Sequence, residues 1–247
     1  MAKTSGLGDN FYVGGYDLSG DTASLSKISG GPVALDVTSI NDSAYERLGG
    51  LRSGEIVWTS YFNPTAGQEH AVLSVLPTAD VILTYARGTT LGNPAACLVA
   101  KQVNYDPTRA NTGMLTEAVT AQSNGFGIEW GVQLTAGLRT DTSATAGTGV
   151  NFAAATSFGF QAYLQVTAFV GTDVTIKLQD SADNSTFADL ASGAFTQTTA
   201  ANTTQRIAVG GTATVRQYVK VTTVTTGGFT SVTFNVVLVK NQTAVVF

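Results

Sequence analysis

"SVTFNVVLVK", residues 231–240, carries an apolar residue at every second position from Val232 to Leu238. Val232, Phe234, Val236 and Leu238 fall on one side of an extended chain, because side chains on a strand point to opposite faces with period two. "DVTIKLQD" (173–180) repeats the pattern, with Val174, Ile176 and Leu178 inward and Thr175, Lys177 and Gln179 outward. "AYLQVTAF" (162–169) and "RQYVKVTT" (216–223) have the same period, and Gly, Asn and Asp turns separate the runs. Short strands at this spacing predict a β-sandwich of the immunoglobulin or jelly-roll type.

The region upstream differs in composition. Every Pro, Trp, Met and Glu, the single His and the single Cys precede Gly131. The net charge of −4 also belongs to the first 140 residues, and the remainder is neutral. Between the two runs "TAGLRTDTSATAGTG" (135–149), which is small, polar and without periodicity. That is the composition of a linker. The expected organisation is one domain over 1–140 with an amino-terminal arm at 1–10, a linker at 141–150 and a second all-β domain over 151–247.

The first half reads as β with two helical interruptions. "GEIVWTSYFNP", "DVILTYARG", "AACLVAKQVNYDP" and "MLTEAVTAQSNG" are β-branched and aromatic runs bounded by turn residues. In "IEWGVQL" the alternation predicts Ile128, Trp130, Val132 and Leu134 on a packed face, with Glu129 and Gln133 opposite. "NDSAYERLGG" (41–50) predicts a short helix, since Ser43 and Glu46 have capping-box spacing and Gly49–Gly50 supplies a left-handed stop. "GQEHAVLSVLP" (67–77) predicts a further turn or two of helix, ended by Pro77.

Searches for chemistry return structural readings. In "FYVGGYDLSGDTASL" (11–25) no Lys follows the last glycine and Asp21 would repel phosphate, so Gly14, Gly15 and Gly20 are expected in bends and turns. His70 and Cys97 lack any sequence relation that pairs them as base and nucleophile. Cys97, inside "AACLVA", is expected as a small buried hydrophobe and His70 as a surface residue. No G-x-S-x-G elbow occurs. "DSADNSTFAD" offers Asp180, Asp183, Asn184 and Asp189 as oxygen ligands, without the ordered spacing of a helix-loop-helix calcium site, and reads as a polar hairpin tip. The expectation is a protein that is not an enzyme and holds no cofactor or metal.

Charged residues make up only 12% of the 247, about half the usual share. Mean hydropathy is nonetheless +0.15. An uncharged polar surface of this kind suits a Thr-rich monomer and equally a chain partly covered by other copies, since few ions must then lose their water. No basic footprint for gripping nucleic acid is present. "MAKTSGLGDNFYVGG" has no apolar core segment, which predicts neither a secretory signal nor a membrane span.

Three stretches carry a resemblance: "FYVGGYDLSGDTASL", then "GPVALDVTSINDSAYERLGGLRSGEI" (31–56), then "ACLVAKQVNYDPTR" (96–109). Over about residues 10–140 the chain resembles the tail tube (major tail) proteins of long-tailed bacteriophages, particularly those of actinobacterial hosts. The Thr-rich remainder resembles the extra β domain that some of these carry. The resemblance implies a β-sandwich or barrel subunit with a flanking helix, assembled into rings of six that stack into a tube. Rings of three would follow if the second half repeated the tube fold. It implies a virion protein assembled in the host cytoplasm, with a tape-measure protein and tail-terminator and tail-tip proteins as partners. DNA would pass through the bore without being held. On this reading the lumen candidates are Thr116, Thr120, Gln122, Glu129 and Gln133, and inter-ring contacts come from Asp9, Asn10, Arg87, Thr89, Leu91 and Asn93. A capsid decoration protein and a host-surface glycan-binding module remain the alternatives.

Overall fold

The computed structural model of the protein describes residues 5–245. Among these the elements in chain order are β1 (Asn10–Val13), β2 (Tyr16–Asp17), β3 (Thr22–Asp36), β4 (Arg47–Tyr61), α1 (Glu69–Leu73), β5 (Val81–Ala86), β6 (Pro94–Arg109), β7 (Leu115–Ser123) and β8 (Glu129–Gln133). Then follow β9 (Arg139–Asp141), β10 (Val150–Asn151), β11 (Phe160–Gly171), β12 (Thr175–Ser181), β13 (Ala188–Ala194), β14 (Thr203–Val209), β15 (Tyr218–Val224) and β16 (Phe229–Lys240). The protein is mainly β, its strands pair antiparallel, and α1 is a helix of five residues.

Two compact units emerge, and neither is continuous in sequence. One comprises residues 5–20, 82–97 and 130–245, the other Asp21–Val81 and Leu98–Glu129. This corrects the expected boundary, because the stretch read as a linker is built into the first unit. Asp141 pairs with Val232, and Gly147 N–H donates to Val221 O at 2.7 Å. The Arg139 guanidinium grips the Asp141 carboxylate with two bonds of 2.7 Å. A Cβ on Gly147 would meet that guanidinium at 2.4 Å. Small residues stand here for close packing, not for freedom.

In the first unit, β14, β11 and β16 form one layer of a sandwich and β10, β15, β12 and β13 the other. The period-two residues meet in one core: Phe160, Ala162, Leu164 and Val166 from β11 and Val232, Phe234, Val236 and Leu238 from β16, against Ile176, Leu178, Val219 and Val221. The other face of β11 and β16 is buried as well, and there the sequence places polar groups: Gln161, Gln165 and Asn235. Gln165 Oε1 accepts from Gly15 N–H at 2.8 Å, while Nε2 donates to Ile82 O at 2.9 Å and Thr84 Oγ1 at 3.1 Å. One buried amide thereby satisfies the turn between β1 and β2 and the start of β5. Gly14 and Gly15 form that turn at φ of 61° and 86°, and a Cβ on Gly15 would lie 2.5 Å from the Asn202 backbone. The glycines are structural, as expected.

The second unit is a sheet in the order β3-β4-β7-β6, to which β6 contributes from Leu98 onward. Ile56, Trp58, Leu98, Ala100, Val119 and Ala121 are buried on one face. α1 lies on that face: Leu73 is buried, and its carbonyl accepts from Gln102 Nε2 at 2.8 Å.

Two local expectations fail here. Residues 41–50 form no helix. Asp36 Oδ1 accepts from Thr38 N–H at 3.0 Å, Thr38 Oγ1 from Glu46 N–H at 2.9 Å, and Asp42 Oδ2 from Ser39 N–H at 2.7 Å. These short side-chain bonds stabilise a hairpin tip in competition with a helix too brief to stand alone. In β8 the alternation is inverted: Glu129 and Gln133 are buried and Trp130 is 52% exposed. A Cβ on Gly131 would meet Leu238 O at 2.6 Å, so backbone packs against the face that was expected to be solvated.

Candidate assembly interface

β4 pairs with β7 only over Glu55–Tyr61. From Gly54 back to Arg47 its only partner among the described residues is β3, so this part of the hairpin is a two-stranded ribbon roughly 25 Å long. Val33, Leu35, Val37, Ile40, Tyr45, Leu48 and Leu51 are all exposed along it, Leu51 at 86% and Ile40 completely. Leu35 lies opposite Leu48, and Arg47 stacks over the Tyr45 ring at 4.7 Å. An isolated two-stranded ribbon is marginal in water, and contiguous exposed apolar side chains mark an interaction surface. The sequence signal was present in "PVALDV" and "RLGGLR". It was hidden by reading the residues between them as a helix.

The other outward surface of the second unit is the open face of its sheet. Registers place Glu55, Val57, Thr59 and Tyr61 of β4 beside Gln122, Thr120, Ala118 and Thr116 of β7, and these beside Lys101, Asn104, Asp106 and Thr108 of β6. Thr116, Thr120 and Gln122 therefore share one face, the first two half-buried and the third exposed. Glu129 and Gln133 do not join them. Gln133 Nε2 turns inward to the carbonyls of Arg87 and Gly88, at 3.3 and 3.2 Å. Both lysines of the face are paired, Lys27 of β3 with Glu55 and Lys101 with Asp80 at 2.8 Å, and Asp106, bonded by Asn104 Nδ2, adds a further negative charge. The outer edge of β3 is open, but bulges and Pro32 interrupt it. Those features restrict indiscriminate strand pairing.

In the first unit the amino-terminal segment and the 87–93 loop come together. Asp9 accepts from Tyr85 Oη and from Gly88 N–H (3.0 Å) and pairs with Arg87 at 3.2 Å. Arg87 Nη2 also reaches Ser5 O at 2.9 Å, and Asn93 Nδ2 donates to Arg87 O at 2.7 Å. Around them opens a cleft of about 480 Å³ lined by Leu7, Asp9, Tyr85, Arg87, Asn93 and Trp130. Of the residues expected in stacking contacts, Asp9, Arg87 and Asn93 meet here. Asn10 is tied into β1 opposite Ala86, and Leu91 packs on the sandwich core. Thr89 lies against Gly137. Residues 1–4 of the expected arm lie outside the described residues.

A cluster that sequence reading missed lies beneath α1. Glu69, from the helix, and Glu117, from β7, are both fully buried. Glu69 Oε1 accepts from Ser60 Oγ at 2.6 Å and Thr22 Oγ1 at 3.1 Å. Glu117 Oε1 bonds Tyr105 Oη at 2.5 Å, and that hydroxyl bonds His70 Nδ1 at 2.6 Å. Burial, with Glu117 and Asp21 adding repulsion, pushes the Glu69 carboxyl up to about 7. Burial also raises Glu117, against the hydrogen bond from Tyr105 and the nearby His70. Tyr105 is raised by burial and by Glu117. The signal for Glu117 was its phase, since in "TEAVTAQ" it shares the buried face with Val119 and Ala121. His70, expected at the surface, is instead half-buried between Tyr105 and Phe62, whose ring lies 4.3 Å away.

The remaining candidate chemistry is dispersed. Cys97 is buried beside Thr84 Oγ1 at 3.8 Å. Asp180 binds Arg216, Asp183 caps the N–H groups of Ser185 and Thr186, and Asp189 accepts from Lys177 and Gln179. Of the three only Asp183 sits in the turn between β12 and β13; Asp180 and Asp189 lie within the strands themselves.

No protein-family model matches the chain, and no curated protein does. Among solved structures it is similar to a protein in the tail of an empty gene transfer agent particle of C6 symmetry, at 17% identity over 51% of this chain and 96% of that one, with a TM-score of 0.40. A protein of the native gene transfer agent virion gives 15% identity over 51% and 98%, with a TM-score of 0.41. The Dit protein of phage SPP1, from a hub adsorption apparatus, gives 11% identity over 93% and 98%, with a TM-score of 0.32. All three TM-scores lie below 0.5, too low to carry a functional argument.

Proposed function

We propose that this chain is a structural subunit of a bacteriophage tail, assembling with its own copies into stacked rings of six. The observation that carries the reading is the β3–β4 ribbon, with seven large apolar side chains exposed over residues 33–51 that no described residue of the chain covers. A second copy supplies that cover, and the apolar area gained drives the association. The open face of β3-β4-β7-β6, carrying Thr116, Thr120 and Gln122 and with both of its lysines paired, lines the bore. Paired charges there leave little net positive potential to release counterions from DNA, so DNA passes without being gripped. The cleft holding Asp9, Arg87, Asn93 and Trp130 receives the next ring, with Trp130 as an apolar anchor beside a polar rim. A tape-measure protein within the bore and terminator and tip proteins at its ends complete the expected partners.

The test is direct. The purified chain is concentrated stepwise and followed by mass photometry and negative-stain imaging. Rings or tubes with a central bore are expected. A monomer at every concentration, and its absence from the tails of the parent virion by mass spectrometry, would overturn the reading.

A further inference from the structure

We propose that the Glu69–Glu117 cluster is a proton-held latch: it fastens α1 to the sheet while a proton is retained there, and lets the helix lift as that proton is lost. The geometry has three parts. First, both carboxyls are fully buried, and each keeps one oxygen, Oε2, without a hydrogen-bond partner. A buried carboxylate oxygen left unsatisfied is costly, and protonation removes the charge that makes it so.

Second, the facing groups offer little compensation. α1 contributes Glu69 and His70, β7 contributes Glu117, β6 contributes Tyr105, and Asp21 precedes β3. β3 and β4 add only the hydroxyls of Thr22 and Ser60, while Asn63 is engaged with Asp21 at 3.0 and 3.1 Å. Three carboxyl groups thus face one imidazole. Like charges this close cannot all ionise without cost.

Third, a route for the proton exists. Glu117, Tyr105 and His70 form an unbroken hydrogen-bonded chain, and His70 is one-third exposed. With Glu117 ionised, Tyr105 donates to it and accepts from His70 Nδ1–H. With Glu117 protonated, both bonds can reverse, and Tyr105 donates to the ring instead.

Beside the apolar packing of Leu73, the side-chain hydrogen bonds of α1 run through these groups: Glu69 to Ser60 and Thr22, and His70 to Tyr105. Gln102 on the Leu73 carbonyl adds one more. Loss of the proton therefore loosens the helix before the sheet.

The experiment is amide hydrogen exchange on the full chain between pH 5 and 9, reading Val72 and Ser74, whose N–H groups close the helix onto Gln68 and His70. Exchange rises about tenfold per pH unit for any amide. Between pH 5 and 7 these two should instead rise about a hundredfold per unit, because the open population also grows tenfold per unit between the open-state and closed-state pKa values. Above that range the slope should return to tenfold. Amides of β11 and β12 should keep the tenfold slope throughout. In Glu69→Gln the extra slope should be reduced or lost. A plain tenfold slope for Val72 and Ser74 in the native chain overturns the latch whether or not the variant folds. So does carbon-13 NMR showing all five glutamates titrating together in the ordinary range.

Discussion

Replacing Ile40 and Leu51 together by Asp separates assembly from folding. Both side chains stand in solvent on the ribbon, Ile40 completely and Leu51 at 86%. Neither is part of the subunit's buried core, so each substitution should shift monomer stability by only about 0.5 kcal/mol, with up to ~1 kcal/mol at Leu51 from strand propensity. Covered by a neighbouring copy, each would contribute about 1.5–3 kcal/mol of apolar transfer. Losing two therefore costs roughly 3–6 kcal/mol per contact, or about a hundredfold to ten-thousandfold in the association constant. The carboxylates add a desolvation penalty of their own, so a Ser pair at the same positions should fall between the native chain and the Asp pair.

Sedimentation velocity over a concentration series reads the outcome, and thermal unfolding of the monomer confirms that the fold survives. The expected order is native, then Ser, then Asp, with the assembly midpoint moving to higher concentration at each step. Equal sedimentation profiles for all three, with unfolding temperatures also equal, would show that the ribbon is no contact between copies. A collapse of the monomer itself would show that its apolar side chains serve the subunit's own stability, and the reasoning would fail at its first step.

Other outcomes follow from the same coordinates. Gly15→Ala places a Cβ 2.5 Å from the Asn202 backbone at a φ of 86°, and should destabilise by about 2–4 kcal/mol, lowering the melting temperature by roughly 5–15 °C. Gln165→Leu strands Gly15 N–H, at about 1–3 kcal/mol, while Ile82 O keeps the bond from Gly14 N–H at 3.0 Å; the loss is measurable by urea unfolding. Deleting residues 148–247 removes β11 and β16 and with them the pairing partner of β8 and β9, so the remainder should show molten-globule circular dichroism rather than a separately folded domain. Stability should fall as pH rises from about 4.5 to about 7 through Glu69. Its folded carboxyl lies above its unfolded value, so the contribution is complete below 4.5 and gone above 7, a difference of about 3 kcal/mol at most. Glu69→Gln should flatten that slope in denaturant titrations.

The sandwich was legible because its core residues obey the simplest periodicity there is. Val232, Phe234, Val236 and Leu238 pack where alternation puts them, and a single hydrophobic face suffices to decide it. β8 was misread for the converse reason. The face that carries Glu129, Gly131 and Gln133 is the engaged one, Gly131 against backbone and Gln133 against loop carbonyls, and alternation misleads for a strand whose polar residues face inward. The boundary at 141–150 failed because composition cannot distinguish small residues chosen for looseness from small residues chosen for close approach. Gly147, pressed against Arg139, is the second kind.

The hairpin tip and the carboxyl cluster were invisible for different physical reasons. The tip is a contest between a helix worth little at ten residues and three side-chain bonds that only a folded register brings together. The cluster joins residues 69, 70, 105 and 117 from three separate elements, and no local window contains more than two of them. Yet the two features share a cause. Both belong to a four-stranded sheet that buries two carboxyls beside Ile56, Trp58 and Val119 while seven further apolar side chains stand bare on the ribbon. A solitary soluble domain has no use for a bare apolar ribbon, and that exposure is the strongest physical argument for the proposed contact with another copy. Covering the ribbon turns the exposed apolar residues into a core.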